Sequence, residues 1–446
     1  MEGLTLILAV LFGLVLMILG ITKYKMHPFL VLLLTAYFIG LVTLMPVSEI
    51  VGLMTEGFGD IMGNIGIVII SGTIIGTILE KTGAAITMAN TILGIFGKKR
   101  SVLTMSITGY VVSIPVFCDS GFVILSPLNR AIADRSKVSL AVTATALSSG
   151  LYATHCLVPP TPGPIYMAEA LSADLGLVIL FGLIVSVPAL ISGWLYAKKV
   201  SSKYYIDPNP EETMESLKDK FGSLPSPGKS FAPILVPIIL IALKSVAEFP
   251  AAPLGEGALQ SFISFIGNPV TALLLGVFLS LRLIKEDFKD HTRDWIERGI
   301  INAGMILAIT GAGGALGAIL KELPLADALS NFLLEYNVGL LLPFILAALL
   351  KTAMGASTVA MVTVAAMISP IMGDLGLTGE IAKVLTVLAM GAGSMTVSHA
   401  NDSYFWVVAK FSDMDTSTAY KTQTGVTLVE GLVSIVSIYI LAAIFL

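Results

Sequence analysis

Six apolar runs, Leu4 to Ile21, Phe29 to Met45, Ile61 to Leu79, Gly176 to Tyr196, Gly299 to Leu320 and Val426 to Leu446, are long enough to cross roughly 30 Å of hydrocarbon as helices. In lipid a chain satisfies its backbone hydrogen bonds internally, which leaves helices and closed barrels, and these runs lack the alternation of barrel strands. The predicted fold is therefore an all-α polytopic membrane protein with the lipid bilayer as its solvent. Composition agrees: 55% of residues are hydrophobic and 13% charged, and the mean hydropathy is +0.90, which excludes a string of soluble domains.

The first run opens with Glu2 in place of a basic region, is followed by Lys23 and Lys25, and has no small-residue cleavage site. It is expected to be retained and not cleaved as a signal peptide. Basic clusters at Lys23 and Lys25, Lys98 to Arg100, Arg130 to Lys137, Lys198 to Lys203 and Arg282 to Arg298 mark the cytoplasmic face of the inner membrane, so Met1 is predicted outside. The net charge of −4 is spread over loops without a basic tract, so no nucleic-acid partner is expected. Cys118 and Cys156 are too few for a disulfide framework and read as reduced packing residues. The 18 methionines are scattered along helices as packing, and neither metal nor cofactor is expected.

The long polar stretch from Lys198 to Ser230, with its DPNPEE and PSPGK segments, divides the chain into 1–197, a cytoplasmic linker 198–230, and 231–446. The flanks repeat. GTIIGTILEKTGAA from Gly72 resembles GGALGAILKELPLA from Gly313, with Gly76 and Gly317 241 residues apart. ILSPL around Pro127 matches MISPI around Pro370 at an offset of 243, and SSGLYATH ending in His155 matches AGSMTVSH ending in His399 at 244. Three ordered matches predict a duplication. Charge turns the second copy upside down, since Lys98 to Arg100 lie inside just before the first Pro-rich motif whereas Glu322 follows a helix leaving the cytoplasm. Inverted repeats with interrupted helices suit a secondary transporter, whose similar halves exchange inward-open and outward-open roles about a midplane site.

Four stretches put Pro, Gly and polar residues inside membrane-compatible sequence, where non-helical backbone is tolerated only under cover of protein or beside a cavity. Ser113 to Leu128 carries Asp119, Ser120 and Gly121 between short apolar arms and reads as a re-entrant hairpin of about 101–135. Ala153 to Pro164 carries Thr154, His155 and Thr161 around four prolines that force an unwound stretch, a broken helix of about 138–170. Lys351 to Thr363, with Gly355, Ser357 and Thr358, gives the second hairpin at about 339–373. Gly391 to Trp406, with Ser394, Ser398, His399, Asn401 and Asp402, gives the second broken helix at about 380–412.

Half-helix N-termini present free N–H groups to a carboxylate, and hydroxyls and amides suit substrate hydroxyls. An ionised Asp119 or Asp402 costs on the order of 3 kcal/mol to insert, which argues for function. Imidazoles at His155 and His399 can change charge near neutral pH. An isolated Ser or Thr is equally well explained by a bond to its own helix. Glu80, Lys81, Lys321 and Glu322 read as snorkelling helix ends, the glycines at 72, 76, 313, 314 and 317 as close-packing surfaces, and Glu430 as a residue packed against a neighbour.

The stretches PVFCDSGFVILSPL, THCLVPPTPGP, GGALGAIL, GASTVAMVT and SHANDSYFW resemble the gluconate:proton symporter (GntP) family, and the resemblance spans nearly the whole chain. It implies import of gluconate, a related sugar acid, glycerate or D-serine, usually with protons, by a dimeric elevator-type carrier. It also implies that Asp119, Ser120, Thr154, His155, Ser357, Thr358, Ser398, His399, Asn401 and Asp402 lie at or beside the site. The hairpins and broken helices would travel together, with Leu4 to Met45 and Phe231 to Ile284 as scaffold and homodimer surface. The chain departs from the family pattern at Cys118-Asp119-Ser120, where a Phe-Glu-Val type of triplet is expected, and at Thr161, where His is frequent. Smaller hydroxy acids such as glycerate therefore stand beside gluconate.

The expected function is proton symport of a small hydroxylated monocarboxylate. Ser120, Gly121, Thr154, His155, Thr161, Gly355, Ser357, Thr358, Ser394, Ser398, His399 and Asn401 are its candidate substrate contacts, and Asp119, His155, His399 and Asp402 its candidate proton acceptors. A Na⁺-coupled carboxylate or D-serine carrier is the nearest rival, because unwound carbonyls beside Ser and Asn oxygens also suit Na⁺. A membrane-embedded enzyme using Asp119 and Asp402 as an aspartate pair lacks any HExxH or GxSxG-type motif. Two occluding hairpins argue against a passive channel.

Overall fold

A computed structural model describes residues 3–97, 100–208, 223–248, 257–324 and 339–446, and among these the chain is helical with no strand. It opens with α1 (Gly3–Thr22), α2 (Pro28–Val42), the 35-residue α3 (Val47–Lys81) and the short α4 (Ala84–Phe96). Next come α5 (Ser101–Val112), α6 (Cys118–Ser136), α7 (Leu140–Leu157), α8 (Pro162–Ala170) and α9 (Leu175–Lys199). Beyond the midpoint stand α10 (Pro227–Ala247), α11 (Ala258–Ile266), α12 (Pro269–Leu281) and α13 (Thr292–Lys321). They are followed by α14 (Leu341–Met354), α15 (Ser357–Ile368), α16 (Glu380–Met395) and α17 (Ser403–Phe411). The chain closes with α18 (Thr416–Ala419), one π turn (Tyr420–Thr424) and α19 (Gly425–Phe445).

Each of the four expected interruptions separates two helices: 113–117, 158–161 with its cis Pro159–Pro160 peptide, 355–356 and 396–402. The helices around the first two breaks and those around the last two begin at a near-constant spacing. Ser101 and Leu341 are 240 residues apart, Cys118 and Ser357 239, Leu140 and Glu380 240, and Pro162 and Ser403 241. That spacing agrees with Gly76 and Gly317 but not with the match of His155 to His399. His155 sits in the last turn of α7, whereas His399 lies four residues past the end of α16, inside a break of seven residues where the first has four. The string match at 244 therefore departs from the spacing of the helices, by which Thr154 stands level with Ser394 and Thr161 with Asp402.

Among the described residues, five helices are long and apolar enough to cross a membrane: Val47–Lys81, Leu175–Lys203, Pro227–Ala247, Lys289–Lys321 and Thr416–Phe445. The pair α11–α12, bent by 60°, would make a sixth. The runs at Leu4 and Phe29 form the 20-residue α1 and the 15-residue α2. Helix α3 starts fourteen residues before the apolar run that announced it, since backbone hydrogen bonding continues through Glu49, Glu56, Asp60 and Asn64. Three of these, Glu56, Asp60 and Asn64, line a cavity of about 300 Å³ with Glu169, Lys321 and Glu322. The linker is narrower than expected, with α9 running to Lys199 and α10 starting at Pro227. Its residues 209–222, like Lys98 and Lys99, lie outside the described residues.

Lipid tails are as apolar as leucine, so helices associate through close packing. Helix α3 lies along α13 with the Gly57 carbonyl where a side chain on Gly314 would be, and α5 crosses α7 with Ser106 and Leu147 carbonyls against Gly150 and Gly109. Helix α7 is buried on every side, all 18 residues of it, between α5, α9 and α16. A helix enclosed all round can place polar groups at its end without meeting lipid.

Candidate substrate site at the helix breaks

Helix α14 stops at Gly355, whose φ of +85° lies in a region that L side chains rarely adopt, and whose missing Cβ makes room for the Asn401 carbonyl. The break at 355–356 therefore lies directly on the break at 396–402. There His399 Nε2 and Asn401 Nδ2 each stand 2.8 Å from the Thr352 carbonyl, and Asn401 also donates to Ala353 at 3.1 Å. These are carbonyls that the end of α14 leaves without helical partners.

One turn before Gly355, Lys351 is wholly enclosed, and its Nζ is 2.6 Å from Asp402 Oδ2. The ammonium also donates to the Gly355 carbonyl. Asp402 caps α17, its Oδ1 accepting from the Tyr404 N–H at 3.0 Å, while Oδ2 accepts from Ser398 Oγ at 2.5 Å. The side chains of Lys351 and Asp402 are 0% and 5% exposed, so water does little to screen the pair.

The first half meets this pair through aromatic rings. Lys351 Nζ lies 5.9 Å from the centroid of Tyr152, which stacks on Tyr404 at 5.1 Å and on His155 at 6.2 Å. Phe117 meets His155 edge-on at 6.3 Å. Asp119, in the first turn of α6, accepts from Ser403 Oγ at 3.5 Å and from Cys118 Sγ at 3.7 Å. His155 Nδ1 and Tyr152 Oη are buried without a hydrogen-bond partner among the described residues. Helices α6 and α15 begin after Phe117 and Ala356, so no side chain caps either N-terminus. A cation, two carboxylates, two uncapped helix ends and a ring stack thus converge where the halves touch.

The structure brings together Asp119, His155, Gly355, Ser398, His399, Asn401 and Asp402. Ser120, Ser357 and Thr358 occupy the first turns of α6 and α15 beside them. Thr154, Thr161 and Ser394 are turned elsewhere: their hydroxyls donate to the carbonyls of Tyr110 at 3.0 Å, Val158 at 2.7 Å and Gly391 at 2.8 Å. Gly121 packs against Leu151. Sequence reasoning missed Lys351. Its signal was a lysine inside an apolar arm, where a central cation costs about 2.5–3.5 kcal/mol to insert.

Comparison with known proteins agrees along the length of the chain. The family model described as GntP family permease matches residues 5–444. A gluconate permease of Pseudomonas aeruginosa is 35% identical over 431 residues, covering 95% of this chain and 94% of its own. The D-serine transporter DsdX of Escherichia coli K12 is 34% identical over 437 residues, 97% of each chain. The crystal structure of the Alcanivorax borkumensis YdaH transporter superposes with a TM-score of 0.60 over 90% of both chains at 16% identity, a likeness of fold alone. With its helix breaks, its enclosed ion pair and this full-length match, the chain belongs to the GntP family of permeases, whose members are transporters and not enzymes.

Proposed function

We propose that this permease imports a small hydroxylated monocarboxylate, gluconate or a related acid such as glycerate, across the inner membrane by proton symport. The carrying observation is the enclosed Lys351–Asp402 pair beside the uncapped start of α15. An incoming carboxylate takes the place of Asp402 on Lys351, and Asp402, stripped of its counter-charge, accepts one proton. The buried site is neutral before and after, as a low-dielectric site requires. Free N–H groups at the starts of α15 and α6 add to anion binding, while Ser120, Ser357, Thr358 and Asn401 suit the substrate hydroxyls. Asp119, His155 and His399 are further proton acceptors at the same junction.

In this reading the halves are inverted repeats. The hairpins and broken helices move as one transport body, elevator fashion, against a dimeric scaffold of α1, α2 and α10 to α12, with the N-terminus outside. The test is accumulation of radiolabelled gluconate and glycerate in proteoliposomes under an inward proton gradient. Accumulation should vanish with a protonophore and in Asp402→Asn. Uptake of neither acid under any gradient refutes the substrate assignment, and uptake that survives the protonophore in sodium buffer replaces the proton by Na⁺.

A zwitterionic substrate is the second reading, favoured by the DsdX relative and by a site that offers both charges. D-serine would then set its carboxylate on Lys351 and its ammonium on Asp402. Competition by unlabelled D-serine against gluconate uptake decides between the two.

A further inference from the structure

Glu430 takes no part in the exchange at Lys351. It lies inside α19, is completely buried, and neither carboxyl oxygen has a hydrogen-bond partner among the described residues. An ionised carboxylate left unpaired in such a place costs several kcal/mol, so in this enclosed conformation the neutral, protonated acid is favoured. The helices around it close in tightly. Gly193 on α9 has no side chain, and a Cβ there would stand 2.5 Å from Glu430 Oε1 and 2.6 Å from Ser149 Oγ of α7, so carboxyl and hydroxyl both pack against the bare glycine. Ser149 donates its own proton to the Ala146 carbonyl at 3.0 Å, leaving its oxygen able to accept one. Ser434, one turn further along α19, is also buried without a partner.

The titratable groups within electrostatic reach of Glu430 are Cys156 from α7 and Tyr404 from α17. On α9, Tyr196 packs on Gly425 and donates to the Lys421 carbonyl at 2.7 Å. From α16, Thr396 and the Ala392 carbonyl meet Gly431. Among the described residues no lysine, arginine or histidine is paired with this carboxyl. The same helix grips the second break: Thr427 Oγ1 accepts the Ser398 N–H at 3.1 Å, Thr424 Oγ1 donates to the Ser398 carbonyl, and Ser398 Oγ donates to Asp402.

We propose that Glu430 is a second proton site, loaded once and emptied once per transport cycle, so that uptake carries one proton beyond the one taken by Asp402. Resting on the symport reading above, it makes that transport electrogenic. Loading adds a single H⁺ from water to a carboxylate and gives the neutral acid that suits this enclosed position beside Ser149, and release waits for the opposite conformation, in which the carboxylate meets water.

The full chain in proteoliposomes tests this. With two protons per monoanion, a potassium–valinomycin potential of about 100 mV, negative inside, should drive roughly fiftyfold accumulation with no pH gradient. Glu430→Gln, which mimics the neutral acid, should keep pH-driven uptake and lose the response to potential. An unchanged potential response in Glu430→Gln overturns the proposal.

Infrared spectra give a readout independent of substrate: a protonated carboxylic C=O band at neutral pH, absent in Glu430→Gln and shifted in Ser149→Ala. Identical spectra overturn the proposal, as does loss of the band on adding Na⁺ at fixed pH, which would make this a sodium site. If the wild type accumulates neither acid, the substrate reading fails while the infrared arm still decides where the proton is. If Glu430→Gln does not fold, the Ser149→Ala band shift decides.

Discussion

Removing either member of the Lys351–Asp402 pair should cost far more than removing both. In Asp402→Asn the ammonium keeps only the Gly355 carbonyl and the face of Tyr152. The ion pair is 2.6 Å long. With charge centres about 3 Å apart and an effective dielectric of about 20, the lost attraction is roughly 5 kcal/mol. Loss of one partner from a buried pair costs about 3–5 kcal/mol. Lys351→Met leaves Asp402 with Ser398 and the Tyr404 N–H and falls in the same range. The double variant removes both charges while methionine fills the lysine stem and asparagine still caps α17, for a net loss of about 1 kcal/mol. Thermal unfolding of the four proteins in one detergent closes the cycle, with a coupling of at least about 2 kcal/mol expected. All three variants should be inactive in gradient-driven uptake. Single variants as stable as wild type, or a double as unstable as the two singles summed, would refute the reasoning.

Gly355→Ala must force a side chain into left-handed backbone and against the Asn401 carbonyl. It should lose about 1–3 kcal/mol in the same melt, with uptake reduced by displacement of the second break. Arg130 ties α6 to the segment after α17, donating to Asp413 Oδ2 at 2.8 Å, the Phe411 carbonyl at 2.9 Å and the Pro208 carbonyl at 3.0 Å. Arg130→Ala should cost about 1.5–3 kcal/mol and speed tryptic cleavage at Lys410, and an unchanged cleavage rate would count against the tie.

Three of the breaks were legible because proline or glycine limits the backbone locally, whatever surrounds it, and the fourth, 396–402, because its polar residues crowd an otherwise apolar stretch. The partner of Asp402 was not, because Lys351 lies 51 residues away and only the packing of α14 against the break at 396–402 brings the two together. Thr154, Thr161 and Ser394 have the same chemistry as Ser398, and only their neighbours decide whether a hydroxyl turns to a carbonyl or to Asp402. The start of α3 was hidden because hydropathy records lipid contact, whereas its first four turns carry polar side chains, several of them facing a cavity. The two histidines looked equivalent because matching strings ignores where helices end: His155 lies inside α7, whereas His399 lies past the end of α16.

The π turn at Tyr420–Thr424 has a consequence for insertions and deletions. Such a turn holds one residue more than an α turn. Deleting one residue from it would leave an ordinary α turn that closes the same full rotation, so everything beyond would keep its angular phase. Thr427 would still meet Ser398, and Glu430 would still pack against Gly193. The same deletion inside α19 would turn every later residue by about 100° around the axis, so a one-residue loss is absorbed at the π turn and damaging beyond it.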